Sequence, residues 1–286
     1  MDNPIEHLQQ HLSKLTEAQR KVADYIIKHQ LDVAFLTVDQ LAREVQTSTT
    51  TIMRLASNLG YSGYTEFQKR LQENLRNQSA PNTRLAANIK GMEEDDLWGK
   101  YAEHQIANIQ DTVDMISREK LEQTQQMIVS ANRIICTSVR SGLPVVQYLT
   151  HGLNRLFGNT NLIVADLSDW VDNIVDMNEN DLVIVASFPR YARRIIDLAK
   201  TAQANSVPVI SITDSYSSPI AAHSNLVLPC NSSSIAFHNS AVSSLFVADY
   251  LVSALAINYS EQTKGRLDKV NAILTDMDYH SVRRTD

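Results

Sequence analysis

Two sets of residues in this chain have the types and spacing to do chemistry. The first is Ser48, Thr49, Thr50, Met53, Arg54 and Ser57, with Tyr61 and Tyr64 just downstream. If residues 49–59 are helical, Ile52, Leu55, Ala56 and Leu59 form one apolar stripe and this set is left outside it. Small hydroxyls with one Arg suit base edges and phosphates, whereas a merely solvated helix face more often carries Glu and Lys. A guanidinium forks to guanine, and Thr hydrogen-bonds or presents a methyl to thymine. Tyr61, Ser62 and Tyr64 follow in a Gly-containing loop, where hydroxyls and backbone N–H groups suit phosphates. The second set is Ser138, Arg140 and Ser141, then Ser187, Arg190, Tyr191, Arg193 and Arg194, and finally His238. These lie where short apolar runs give way to helical patterns. Helix starts already favour anions through free N–H groups and the dipole, so added hydroxyls and Arg make a site for a small anionic molecule. Arg140 and Arg190 fall in the turns themselves. Arg193 and Arg194 fit a solvated helix face equally well, and His238 fits an ordinary helix start.

The elements that must position the first set carry their own signals. Thr37 with Gln40 reads as a capping box opening a helix over 38–45, with Leu41, Ala42 and Val45 inward. Gln46 and Thr47 form a polar turn, Ser48 caps the second helix, and Gly60 sits where a left-handed C-cap is wanted. Two short helices joined in this way are a helix-turn-helix, which offers a helix N-terminus to the major groove. Upstream, Thr16 with Gln19 is a second capping box before the stripe Val22, Ala23, Ile26 and Ile27. Downstream, Phe67, Leu71 and Leu75 mark a helix near 65–75. The region reads as a domain of three to five helices. Residues 77–95 are polar and broken by Pro81 and Gly91, as a linker would be. A helix over 97–116 follows with Ile106, Ile109, Val113 and Ile116 in register, and Ser117 caps another over 119–130.

The elements behind the second set are of another class. Apolar β-branched runs at 133–139, 161–165, 181–188, 207–213 and 225–229 alternate with helical patterns at 142–157 and 192–205, and a long apolar helix over 239–259 closes the series. Such runs predict a five-stranded parallel sheet covered on both faces, doubly wound. Ligands of such sheets bind at the carboxyl ends of the strands, where the second set lies.

Composition bounds the rest. A length of 286 residues suggests about two domains. The net charge of −6 argues against a protein that coats nucleic acid, though not against a sequence-specific one with local cations. Arg43, Arg54, Lys69, Arg70 and Arg76 are a thin local supply, which predicts a homodimer or homotetramer that multiplies the contacts. No apolar run approaches the roughly 20 residues of a bilayer span, and the polar N-terminus is no signal peptide, so no membrane association and a cytoplasmic location are expected. Cys136 and Cys230 read as buried free thiols. No Cys/His grouping has metal-ligand spacing, and no cofactor is expected.

The segments LTEAQRKVADYI, VAFLTVDQLAREV and TSTTTIMRLASNLGYSGYTEFQ, in that order, resemble the N-terminal domain of the RpiR-type transcriptional regulators. That family joins this domain to a SIS (sugar isomerase) domain, a flavodoxin-like doubly wound fold that the later runs resemble. The resemblance implies a helix-turn-helix domain over 1–78, a linker and connecting helix over 79–105, a SIS domain for effector binding and oligomerisation over 106–262, and a helical tail over 263–286. It implies a regulator of a metabolic operon, a repressor or activator on a pseudo-palindromic double-stranded operator, whose affinity a metabolite, usually a sugar phosphate, controls. Two turns depart from the family pattern. The first reads TSVRSG where Gly and Ser are usual. In the second, Ser187 keeps the first position of an S-x-S-G-x-T pattern, Pro189 and Arg190 replace its middle, and Ala192 replaces its Thr. Fewer hydroxyls and more Arg suit a phosphosugar held differently, a carboxylate metabolite, or an unoccupied pocket. The alternative function is a SIS-type aldose–ketose phosphosugar isomerase. It needs a base near neutral pKa, and the strand-end loops offer no Glu, only His238 and Asp214, the latter placed like a structural cap.

Overall fold

Both capping boxes form as the sequence predicts. In a computed structural model, which describes residues 4–78, 80–89, 96–165 and 170–279, Thr16 and Thr37 each accept from the backbone N–H three residues on. Gln19 and Gln40 reach back to the Thr backbone N–H groups. The chain divides into two units, Met1–Met92 and Glu93–Asp286.

The first unit is helical: α1 (Pro4–His11), α2 (Glu17–Lys28), α3 (Gln30–Val33), α4 (Val38–Val45), α5 (Thr49–Asn58), α6 (Tyr64–Gln78) and α7 (Pro81–Ile89). Its core gathers Leu8, Val22, Ile26, Leu41, Val45, Ile52, Leu55, Phe67 and Leu71. Gln46, at φ 54°, turns α4 into the α5 cap, and Gly60 takes φ 82° after α5. The unit has more helices than the sequence suggested. Pro81 opens α7 rather than breaking a linker, because a first-turn proline gives up an N–H that has no helical partner there anyway. Gly91 lies outside the described residues.

The second unit begins with α8 (Leu97–Met115) and α9 (Arg118–Ser130), the latter capped by Ser117. The parallel strands are β1 (Ile134–Ser138), β2 (Thr160–Val164), β3 (Leu182–Ser187), β4 (Val209–Thr213) and β5 (Leu226–Pro229), in the order β2-β1-β3-β4-β5. Between them run α10 (Leu143–Leu156), α11 (Trp170–Ile174) and α12 (Arg193–Ala204), and α13 (Val242–Asn258) and α14 (Ser260–Asp276) follow. Alternate strand residues feed two cores. Cys136, Ile184, Ile212 and Leu228 meet α10 and α13, while Ile135, Val183, Val185 and Val209 meet α12. Chain order reverses at β1, so the turns after β1 and β3 lead to helices on opposite faces, α10 and α12, and their carboxyl ends are where doubly wound sheets hold ligands.

One expected core stripe is borne out only in part: Ile116 is buried in the core and Ile109 is half-buried. On α8, Ile106 and Val113 are 66% and 49% exposed, while Gln105, Asn108 and Thr112 are buried. The polar face turns inward because it finds hydrogen-bond partners in the 231–240 loop, and Ile106 and Val113 are left outside.

Candidate nucleic-acid interface and anion site

The α5 face is built from its cap outward. Ser48 Oγ accepts from Thr51 N at 3.2 Å and pairs with Thr51 Oγ1 at 2.9 Å, which fixes the helix start. Ile52, Leu55 and Ala56 are buried, and Thr50, Met53, Arg54 and Ser57 are exposed, with Thr49 half-buried. Arg54 forms no ion pair among the described residues, so its guanidinium is available to an outside anion.

The two tyrosines expected beside this face are differently used. Tyr64 is 4% exposed, and its hydroxyl donates toward the carbonyls of Leu36 at 2.9 Å and Val33 at 3.1 Å. It is a core residue that ties α6 to the end of α3, and burial pushes its phenol well above the ordinary range. The Tyr64 hydroxyl therefore cannot serve a phosphate. The Tyr61 ring packs edge-on to Phe67 at 5.3 Å and also faces His7. Ser62 donates N–H and Oγ to Glu66 Oε2 at 2.7 Å each, holding that carboxyl below its usual range. The loop's polar groups are thus largely occupied in starting α6.

At the strand ends, Ser138 is fully buried, and its Oγ donates to Ala186 O at 2.7 Å. This ties the end of β1 to the end of β3 and makes Ser138 a structural hydroxyl, which keeps only acceptor capacity. Arg140 and Arg190 are both exposed and both left-handed, at φ 55° and 72°. Left-handed backbone is unfavourable for any residue with a Cβ, by about 1–2 kcal/mol. Neither guanidinium has a hydrogen bond or ion pair among the described residues. Ser141 is half-buried in a short 3-10 turn before α10. Ser187 is 5% exposed, with an Oγ that has no partner. Thr137 and Ser211, which lie level with Val185 in the register, also carry buried, unpartnered hydroxyls on the α12 face of the sheet.

The turn after β3 is braced on both sides. Tyr191 donates to the Asp214 carboxylate, 3.0 Å from either oxygen, and Asn239 Nδ2 donates to Pro189 O at 2.9 Å. Thr213 Oγ1 donates to Ser187 O at 2.6 Å. Burial raises the Asp214 pKa against the lowering effect of hydrogen bonds from Tyr191, from its own backbone N–H and from Thr213 Oγ1 at 3.2 Å. Arg193 lies 3.6 Å from Asp197 and is 92% exposed, on the solvated face of α12. His238 is exposed beside Phe237. The structure thus places Arg140, Ser187 and Arg190 at adjoining strand ends and puts Arg193 on a helix surface. The sequence reading missed Asn239 as the brace of this turn. It also missed the polar stripe Gln105, Asn108 and Thr112, whose helical spacing was the available signal. Both cysteines are buried free thiols, with Cys136 pushed up to about 12. Among the described residues no group of His, Cys, Asp and Glu could hold a metal ion. No single helix there is long and apolar enough to cross a membrane.

A helix-turn-helix unit followed by a doubly wound sheet with arginine-bearing turns at its strand ends is the layout of a two-domain regulator. Comparison with known proteins finds a match in each unit. Residues 2–78 match the helix-turn-helix domain of the rpiR family, and residues 127–254 match the SIS domain. The chain belongs to the RpiR family of DNA-binding transcriptional regulators. It is 25% identical over 275 residues to the uncharacterised HTH-type transcriptional regulator YbbH of Bacillus subtilis, covering 92% of this chain and 94% of that one. It is 25% identical over 231 residues to the HTH-type transcriptional regulator HexR of Pseudomonas aeruginosa, covering 80% and 79%. A solved structure of the Vibrio vulnificus NanR protein complexed with ManNAc-6P superposes with a TM-score of 0.65 at 26% identity, covering 96% of this chain and 99% of that one. These relatives are regulators, and the protein is a regulator rather than an isomerase.

Proposed function

We propose that this regulator controls a metabolic operon through a small anionic metabolite, most simply a sugar phosphate, bound between Arg140, Ser187 and Arg190. The observation that carries this reading is the strand-end geometry. Two arginines are held in left-handed backbone without an internal ion pair, and the Ser187 hydroxyl is buried without a partner. A strained, unpaired cation in a braced turn is a cost to the fold alone and a gain once an anion is present. That NanR has been obtained with a phosphorylated amino sugar supports a phosphosugar over a plain carboxylate. The α5 face, with Ser48, Thr49, Thr50, Met53, Arg54 and Ser57, reads a double-stranded operator. A homodimer or homotetramer presents two such faces to a pseudo-palindromic site. The outward apolar residues of α8, Trp98, Ile106 and Val113, are offered as part of that oligomer surface. The setting is cytoplasmic.

A thermal-shift screen against phosphosugars, sugar acids and inorganic anions tests the site. The expected result is a stabilising phosphosugar whose effect vanishes in Arg190→Ala while operator affinity without ligand is retained. A stabiliser that works equally on Arg190→Ala places the pocket elsewhere.

A further inference from the structure

The inward polar face of α8 is bonded to the loops that brace the anion turn. Ser240 Oγ donates to Gln105 Oε1 at 2.8 Å, and Asn231 N donates to Thr112 Oγ1 at 2.9 Å. Asn108 exchanges two bonds with Ser233, donating to its carbonyl at 2.9 Å and accepting from its hydroxyl at 2.6 Å. Next to Ser240 in this loop stands Asn239, which holds Pro189 O, one residue before Arg190. On the other flank Tyr191 holds Asp214. Two residues further on, Tyr216 donates to Met115 O at the end of α8 at 3.1 Å, with Lys120 Nζ 4.0 Å over its ring. Each flank of the Arg190 turn therefore reaches α8 within a few bonded residues.

The seating of α8 is also incompletely satisfied, because the Gln105 Nε2 amide is buried with no partner. A buried unmet donor is a cost to this seating of α8, so its hold on the loop is weaker than a fully bonded one. In the chain, α8 starts five residues after Met92, which ends the DNA-binding unit. Resting on the anion-site assignment above, we propose that α8 is the regulatory lever. Asn239 and Asp214 act as positioning residues for the Arg190 turn, and occupancy of that turn is passed to α8 through the 231–240 loop and through Tyr216.

Hydrogen–deuterium exchange on the full chain tests this. Without any ligand, Asn239→Ala is expected to speed exchange of the α8 amides about three- to tenfold, the equilibrium effect of one net hydrogen bond. Tyr216→Phe, a milder change at an exposed side chain, is expected to do so near Met115 and guards against a folding defect in the first variant. Acceleration confined to 188–194 and 231–240, with α8 at the wild-type rate in both variants, overturns the proposal. With millimolar inorganic phosphate, the wild type is expected to gain protection at 188–194 and along α8 together, and Arg190→Ala to gain neither. Protection at 188–194 without any at α8 sinks the lever but keeps the site. Absence of phosphate protection at 188–194 counts against the site, and the ligand-free variants still decide the coupling.

Discussion

Arg54 and Tyr64 stand ten residues apart and divide the two fates of a polar side chain in a recognition unit. Arg54 is outward and without an ion pair, so Arg54→Ala is expected to weaken specific operator binding by about 1–3 kcal/mol if it reads a base. Titrations against operator and random duplex decide this, since equal losses on both would make it a phosphate contact. Tyr64 is inward, with its hydroxyl aimed at the carbonyls of Val33 and Leu36. Tyr64→Phe is expected to cost about 1 kcal/mol of unfolding free energy and to leave DNA affinity unchanged below the melting transition. Urea denaturation and gel-shift titration measure the two effects separately. Asp214 gives a pH dependence. Burial raises its folded-state pKa, so the folded chain holds this proton more tightly than the unfolded chain. The contribution to stability is complete below the ordinary carboxylate range and is lost as pH rises through the raised value. Asp214→Asn keeps an acceptor for Tyr191 and removes that loss. Its melting temperature relative to wild type is therefore expected to climb from pH 4 to pH 7.

At the scale of elements, caps decide where the helices of the first unit begin. The Thr37–Gln40 box satisfies two backbone donors at once, so Thr37→Ala is expected to destabilise the unit by about 1 kcal/mol. A smaller loss than a few tenths in chemical denaturation would mean that packing of Leu41 and Val45 alone fixes α4. The second unit puts its polar chemistry at the strand ends for a topological reason. The β2-β1-β3 order sends the connections after β1 and β3 to opposite faces, so their turns stand at the switch point where such sheets hold ligands. α8 is the element whose reading was reversed along most of its length, although Ile116 just past its end is buried as expected. Its Ile stripe has good helical spacing, yet the buried side is Gln105, Asn108 and Thr112.

At the scale of the molecule, that reversal leaves Trp98, Ile106 and Val113 facing out, with Ile257 of α13 73% exposed as well. Large exposed apolar residues in numbers suit the surface that a second chain would cover in the proposed oligomer. Ile106→Glu is expected to shift the protein from oligomer toward monomer in sedimentation velocity. It should weaken operator binding with it, since one helix-turn-helix unit makes half the contacts. An unchanged sedimentation coefficient would move the interface elsewhere.

The local features of both units were legible because they depend on neighbours in sequence. Thr37, Ser48 and Gly60 act within a turn, and the apolar runs of β1, β3 and β4 pack wherever the sheet forms. The Arg-bearing turns could be located for the same reason, as they lie where strand pattern becomes helix pattern. Tertiary structure decided which polar groups remain free. Tyr64 was withdrawn from the DNA face by carbonyls 28 and 31 residues away, and Ser138 by a carbonyl 48 residues away. Gln105 and Asn108 were buried by partners more than 120 residues distant. A helix with one apolar and one polar face does not state which face the fold will cover. That depends on whether distant segments offer hydrogen-bond partners, and periodicity carries no record of them.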